Sequence, residues 1–156
     1  MRRHDREITE GADILTILDK CRIIRIGLCD HGRAYIVPMN FAYETADGKL
    51  YIYLHCAHEG RKMDIISRNN KVCFEADRSH EKFEGDLPCS WTEKYESVMG
   101  EGEIEIVNRD TQKVRVLDVF MKRYGFAGKP QYSEAALAAV TILRVNVTAM
   151  TGKRNG

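Results

Sequence analysis

The sequence predicts an α+β fold that is mainly β: six to seven antiparallel strands in a closed or nearly closed barrel, with flanking helices. Three observations predict it. Several segments alternate apolar and polar residues with the period of two expected of half-buried strands. Tight turns containing glycine join three of these segments. Amphipathic helical segments lie before and after them, and no repeat or linker divides the chain. Residues 1–156 are therefore expected to form a single domain.

The first part of the chain predicts a helix followed by three strands. Thr9 is a candidate cap for a helix whose apolar residues recur as far as Cys21. Beyond it, period-two alternation over three segments predicts an antiparallel meander. These segments begin at Arg22, Ala34 and Leu50, and turns at 30–32 and 47–48 separate them.

The second part predicts a short helix from Arg61 and a strand over 72–76. The polar composition of residues 78–90 indicates a loop. Gly100 and Gly102 indicate a bulge or a sharp bend at a barrel corner between two further strands. The remaining predicted elements are strands at 91–99 and 101–107, a helix that Asp110 caps, a short helix at 133–139 and a last strand at 141–149.

Composition and charge exclude some classes of partner. The net charge is +1, so no strong field draws the chain to nucleic acid or to an anionic membrane, and neither partner is expected. No segment approaches the roughly 20 apolar residues of a membrane span, and the charged N-terminus is unlike a signal peptide. A cytoplasmic location is therefore expected. The five cysteines include no C-x-x-C pair and are expected to be reduced and mostly buried.

Residues 55–62 form the most informative segment. A predicted strand ends there, a polar turn with Gly60 follows, and Arg61 and Lys62 begin a helix. Free N–H groups at a helix N-terminus and two adjacent cations would favour a phosphate. A solvated basic pair on a surface helix accounts for the same spacing. The residues alone leave both interpretations open.

A second candidate segment is the strand around Pro38. Proline removes one N–H from the ladder, which favours a sheet edge or a bulge. Backbone freed from pairing, together with the amide of Asn40, could meet the polar edge of a flat heterocycle. An edge strand that its proline protects from aggregation is the alternative.

Several short motifs, which together span nearly the whole chain, resemble in sequence and order those of the pyridoxamine 5′-phosphate oxidase-like flavoproteins. The nitroimidazole-resistance (5-nitroimidazole reductase-like) branch of that family is the most similar. The motifs are Val37–Phe41, Leu50–His55, Gly60–Lys62, Val72–Glu75, Tyr95–Gly102 and Thr151–Lys153. The resemblance implies an FMN-binding split β-barrel that forms a homodimer, with one FMN in each of two grooves between the subunits.

The resemblance also implies residue roles. Arg61 and Lys62 would hold the FMN phosphate, with His55 and Cys56 beside it or beside the ribityl chain. Residues 37–41 would follow the isoalloxazine ring, and Ser97 would reach the flavin of the partner subunit. The implied cofactor contacts are Val37, Pro38, Met39, Asn40, Phe41, His55, Cys56, Arg61, Lys62 and Ser97. His55 is also the candidate catalytic residue, with an ordinary half-buried histidine as its alternative.

The implied activity is FMN-dependent reduction of a small electrophile such as a nitro-aromatic compound. Met39 and Asn40 replace the basic strand residue of the pyridoxamine phosphate oxidases, so oxidation of that substrate is not expected. A nicotinamide is a candidate electron donor, although no Gly-rich dinucleotide fingerprint follows a strand. The alternatives are a haem-binding or haem-degrading protein and a flavin-binding module without turnover.

Two further expectations concern metals and assembly. His55, Cys56 and His58 lack a suitable spacing and a further ligand pair, so no metal site is expected. Apolar residues around Trp91 and Val98 are expected to be exposed in a single barrel and to be buried when two barrels pair.

Overall fold

The computed structural model describes residues 2–156, in which seven antiparallel strands form one sheet with helices packed against it. The strands are β1 (Glu7–Ile8), β2 (Ile23–Asp30), β3 (Arg33–Ala46), β4 (Lys49–Cys56), β5 (Lys71–Phe83), β6 (Thr92–Val107) and β7 (Thr141–Asn155). The α-helices are α1 (Gly11–Lys20), α2 (Arg61–Arg68), α3 (Asp110–Arg123) and α4 (Glu134–Ala139). Short 3₁₀ helices lie at His4–Arg6 and Pro88–Ser90.

The sheet closes into a barrel. The strand order is β1-β7-β4-β3-β2-β5-β6, and β6 also pairs with β7, which joins the two ends of the sheet. Strands β2, β3 and β4 form the predicted meander. The prediction of a mainly β, antiparallel split barrel with flanking helices is confirmed.

Strand β3 changes partner halfway along its length. Residues 33–40 pair with β2, whereas residues 41–46 pair with β4. Within residues 2–156, each half of β3 therefore has one partner strand, and the first half has none on the side away from β2. Pro38 lies in this half, as its missing N–H favours.

The apolar side chains form two clusters on opposite sides of the sheet. The larger one fills the barrel and includes Ile24 and Ile26 of β2, which alternate with exposed neighbours. The smaller cluster lies outside the barrel, where Phe120 of α3 packs on Tyr53 of β4 and Ile142 of β7. Because α3 covers this outer face, β4 is buried on both faces around Tyr53.

Two predictions about the second half were wrong. Residues 78–90 are not a loop throughout, because β5 continues to Phe83 and pairs with the start of β6 at Thr92. This hairpin is mostly exposed, so burial imposes no apolar alternation on it. Residues 92–107 form one strand rather than two. Its register with β7 shifts between Glu101 and Gly102, which matches the predicted bulge.

Helix starts and cysteine burial also differ from expectation. Helix α1 begins at Gly11 without a side-chain cap, and Asp110 is the first residue of α3 rather than its cap. All five cysteines are free thiols. Three of them are exposed, because they lie on the outer face of the sheet or in the hairpin: Cys29, Cys73 and Cys89. Among residues 2–156, no helix is long and apolar enough to cross a membrane.

Candidate functional site

Helix α2 begins with an uncovered N-terminus. Gly60 stands at the cap position with φ of 126°, in the region that favours glycine. Glycine has no side chain with which to accept a hydrogen bond from the first N–H groups of the helix. The N–H groups of Arg61 and Lys62 precede the first hydrogen bond of the helix, which Met63 donates to the Gly60 carbonyl, and are therefore open to an external acceptor.

The Arg61 guanidinium is held on one side by a carboxylate. Its Nε and Nη2 donate to Oδ2 of Asp30, at 3.3 and 3.1 Å. The guanidinium also lies over the Tyr35 ring, 4.6 Å from its centroid. The side chain nevertheless remains 59% exposed. Arg61 is thus fixed in orientation while part of it faces solvent.

Asp30 accepts from two arginines. Arg68 follows Arg61 by seven residues on the same face of α2, and its Nη2 donates to Asp30 Oδ1 at 3.2 Å. The hydrogen bond from Arg61 is the main reason that the pKa of Asp30 lies below its usual range, and burial opposes it. His31 Nε2 lies 3.9 Å from Oδ1. Two arginines sharing one carboxylate leave this cluster with a net positive charge.

Cys56 and Lys62 belong to the same corner of the barrel. Cys56 ends β4, and its Sγ lies 3.8 Å from Sδ of Met63 in α2. Burial raises the pKa of the Cys56 thiol, and the charge of Lys62 opposes this shift. The predicted residues Cys56, Arg61 and Lys62 are therefore brought together at the start of α2.

The first half of β3, which within the described residues has no partner strand on the side away from β2, presents a mixed surface. Pro38 and Asn40 are exposed, while Val37 and Met39 are half-buried. Phe41 is fully buried, and the Arg123 guanidinium lies 4.4 Å from its ring centroid. The Phe41 side chain is therefore not placed to meet a ligand at this edge, and the residue itself pairs with Leu54 of β4.

His55 lies near the end of β4 against helix α3. Its ring meets Phe120 edge to face, with centroids 5.0 Å apart. Burial lowers the pKa of His55, so its imidazole is neutral near pH 7. His58 instead bonds to Thr141 Oγ1 at 2.6 Å and to the carbonyl of Ala138. Among the described residues, no three His, Cys, Asp or Glu side chains are grouped to hold a metal.

Ser97 is remote from Arg61 within one chain. It pairs with Asp77 on β5, two residues beyond Glu75, which itself pairs with Arg25 on β2. Across the sheet, Ser97 is thus level with Ile23, the first residue of β2, whereas Asp30 is the last residue of β2. Seven residues of strand separate these levels, or roughly 20 Å.

The outer face of β2, β3, β5 and β6 carries an apolar groove of about 740 Å³. Ile36 and Met99 border it and are 63% and 60% exposed, and Ile23 on the same face is 39% exposed.

The expectation that apolar residues around Trp91 and Val98 are exposed was wrong in part. Val98 points into the barrel and is fully buried, because it alternates with Met99, which points outward.

Sequence reasoning missed Asp30, Tyr35 and Arg68. Arg68 follows Arg61 by seven residues, a helical spacing that puts both on one face and could have indicated it. Asp30 was assigned only to a turn. Its contact with Arg61 spans 31 positions and depends on how the barrel folds.

An antiparallel barrel in which one strand changes partner halfway along, with a basic helix start beside the free edge, defines the class of split-barrel proteins. Residues 10–154 match the family model described as pyridoxamine 5′-phosphate oxidase. The chain belongs to this family, whose split barrels bind flavins. A search of curated protein sequences gave no match.

Solved structures agree with this assignment. A Bacteroides thetaiotaomicron protein, provisionally described as a 5-nitroimidazole antibiotic resistance protein, is 32% identical with a TM-score of 0.82. The match covers 95% of this chain and 86% of that one.

Two more distant structures show the same fold. A flavocytochrome from Azotobacter vinelandii is 16% identical (TM-score 0.83), and the match covers 100% of this chain and 72% of that one. An FAD- and haem-binding protein from Mycobacterium smegmatis is 15% identical (TM-score 0.82), with 96% and 73% covered. At these identities the likeness concerns the fold alone.

Proposed function

We propose that the protein is an FMN-dependent oxidoreductase that reduces a small electrophile such as a nitro-aromatic compound. The observation that carries this proposal is the junction of Gly60, Arg61 and Lys62 with the first half of β3, whose edge away from β2 has no partner strand among residues 2–156. A phosphate at the start of α2 would leave an attached ring system within reach of that strand. The 32% identity to the Bacteroides protein supports the class of acceptor.

The residues present fit a phosphomonoester. The open N–H groups of α2, the exposed end of Arg61 and the charge of Lys62 together suit a phosphate dianion. Cys56 would line the same corner. Backbone groups of residues 37–40 that face away from β2 would bond to the polar edge of the isoalloxazine ring, with the Asn40 amide as a further partner.

Bound FMN would supply the redox chemistry. The protein would fix the ring and admit the acceptor beside it. His55 is the candidate for contact with the reacting molecules, because its neutral imidazole offers both a donor and an acceptor. Its packing on Phe120 restricts the orientation of the ring.

We also propose that two copies pair through the outer face that carries the groove. Ile36 and Met99 there expose apolar surface that soluble monomers rarely leave in contiguous patches. Two-fold pairing would cover this face on both copies. Sedimentation should give about twice the chain mass of 17.9 kDa. Met99→Lys should shift the protein towards monomer, whereas Leu87→Lys, at an exposed position of the hairpin, should not.

The test of the proposed function is the cofactor followed by turnover. The purified protein should show flavin absorption bands, and mass spectrometry of the released cofactor should give FMN rather than FAD. Addition of a reduced nicotinamide dinucleotide or dithionite as the electron donor and then a nitroimidazole should consume the nitro compound. A Soret band would favour haem, and FMN without turnover on any electron acceptor would favour a binding module. Either result would overturn the proposal.

A further inference from the structure

We propose that Asp30 is a positioning residue for the phosphate site: it fixes the orientation of Arg61 before the ligand binds. This inference rests on the proposed function and assigns roles to Asp30, Tyr35 and Arg68, three residues that the motif resemblance does not include. It would apply to any flavin phosphate held by Arg61.

The contacts restrain Arg61 in two independent directions. Tyr35 lies under the guanidinium plane, at 4.6 Å, and limits its tilt. Asp30 binds the edge formed by Nε and Nη2 and limits rotation within that plane. Nη1 does not contact Asp30, so the far end of the planar fork stays available to a phosphate oxygen.

Arg68 keeps the carboxylate suited to this role. Asp30 is 17% exposed, and Arg68 donates to the oxygen that Arg61 does not use. Both arginines lower the pKa of Asp30, so the carboxylate stays ionised at neutral pH. Because two arginines share one carboxylate, the cluster keeps positive charge for an anion. Asp30 can therefore hold Arg61 without cancelling the field of the site.

An unrestrained arginine would have to be ordered when the ligand binds. Long side chains lose conformational freedom on binding, and restraints present beforehand remove that cost. The expected effect of losing Asp30 is therefore a weaker affinity for phosphate-bearing flavin, by roughly three- to tenfold. The affinity for riboflavin, which lacks the phosphate, should not change.

The test compares dissociation constants for FMN and riboflavin in the deflavinated full chain. Asp30→Ala should weaken FMN binding and leave riboflavin binding unchanged. Asp30→Asn keeps a hydrogen-bond acceptor without the charge and should lose less. Asp5→Ala is the matched control: it also removes an aspartate that accepts two bonds from an arginine, Arg3, but far along the chain from this site. It should change neither affinity.

A double-mutant cycle decides whether Asp30 acts through Arg61. In an Arg61→Ala background, Asp30→Ala should have no further effect on FMN affinity. An additive loss would overturn the positioning role, as would tighter FMN binding or equal weakening of both flavins. If Asp30→Ala does not fold, the same comparisons with Asp30→Asn decide. If Arg61→Ala itself leaves FMN affinity unchanged, the proposed phosphate site fails rather than the role of Asp30 alone.

Discussion

Two arginine clusters on this barrel look alike but differ in what they leave unsatisfied. At the start of α2, Arg61 lies over Tyr35 and donates to Asp30. Beside α3, Arg115 donates to both oxygens of Glu44, at 2.7 and 2.8 Å. Each cluster thus combines an arginine, an acid and a tyrosine.

The α3 cluster is closed. Nη2 of Arg115 donates to the hydroxyl of Tyr53 at 2.9 Å, and that hydroxyl donates to Glu44 Oε1 at 2.5 Å. Tyr53 is only 1% exposed, so its polar atom depends on these partners. One arginine and one glutamate cancel in charge. The α2 cluster has a second arginine, Arg68, on the same acid and keeps positive charge beside an unpaired strand edge. The comparison indicates that a ligand site differs from a structural ion pair because some of its donors have no partner in the described part of the chain and its charge is not balanced.

The largest effect expected from this comparison is loss of cofactor when the α2 cations are removed. The double variant Arg61→Ala, Lys62→Ala should fold and purify almost colourless. Two charge-assisted contacts of roughly 1.5–3 kcal/mol each correspond to about a hundredfold or more in FMN affinity. Flavin absorbance and equilibrium titration measure this. Arg115→Ala is the control and should keep its flavin; full retention of flavin in the double variant would contradict the phosphate assignment.

The next largest effect is the loss of half the bound FMN in a mixed heterodimer, which tests whether a second chain completes the α2 site. Within one chain, Ser97 and Asp30 are level with opposite ends of β2, so a shared flavin site needs Ser97 from the partner subunit. Ser97→Trp should block that site by overpacking. A heterodimer is made with two affinity tags, pairing a Ser97→Trp chain with a chain lacking Arg61 and Lys62. One site would carry both defects and the other neither, so about half the normal FMN should bind. If almost no FMN binds, each site carries one of the two defects, and the cross-subunit role of Ser97 is contradicted.

The α3 cluster should respond in stability rather than in binding. Arg115→Ala removes the partner that Glu44 and Tyr53 share, and Arg115 itself is half exposed. The expected loss is about 1 kcal/mol in the free energy of unfolding, measured by urea denaturation. The FMN affinity should stay within twofold of wild type. A loss of flavin as large as that from Arg61→Ala would remove the distinction between the two clusters.

The smallest effect is a change in acid sensitivity. Burial tends to raise the pKa of Glu44, but hydrogen bonds from Tyr53 and Arg115 outweigh it and hold that pKa below its ordinary value of 4.5. A carboxyl with a lowered folded-state pKa stabilises the fold above about pH 4.5 and loses that contribution as the pH falls further. Arg115→Ala should therefore lose less stability than wild type between neutral pH and the acid range below pH 4.5. If the free energy of unfolding falls with pH in parallel for the two proteins, Arg115 is not the cause of the lowered pKa of Glu44.

The sequence predicted the barrel well where burial is one-sided. Ile24 and Ile26 alternate with exposed neighbours because one face of β2 meets the core, and that alternation is visible in the sequence. The hairpin of β5 and β6 beyond residue 78 was missed because neither face is buried there. Backbone pairing and polar contacts between exposed side chains, such as Lys94 with Glu81, hold it, and neither requires alternation of apolar and polar residues.

The candidate site shows the same division. Arg61, Lys62, His55 and residues 37–41 were found from local signals and a motif resemblance, and their roles stay predictions. Arg61 and Lys62 adjoin in sequence and begin one helix, so their proximity needs no tertiary information. The partners of Arg61 could not be derived in this way.

The sequence by itself determined the strand and helix periodicities, the family and the basic start of α2, because each depends on neighbouring residues. Only the tertiary structure decided that Asp30 meets Arg61, that β3 changes its partner strand after residue 40 and that Val98 points inward while Met99 points outward. These features depend on which strands pair and in which register. A shift of one residue in register reverses the face of every side chain in a strand, so the local pattern alone could not settle them.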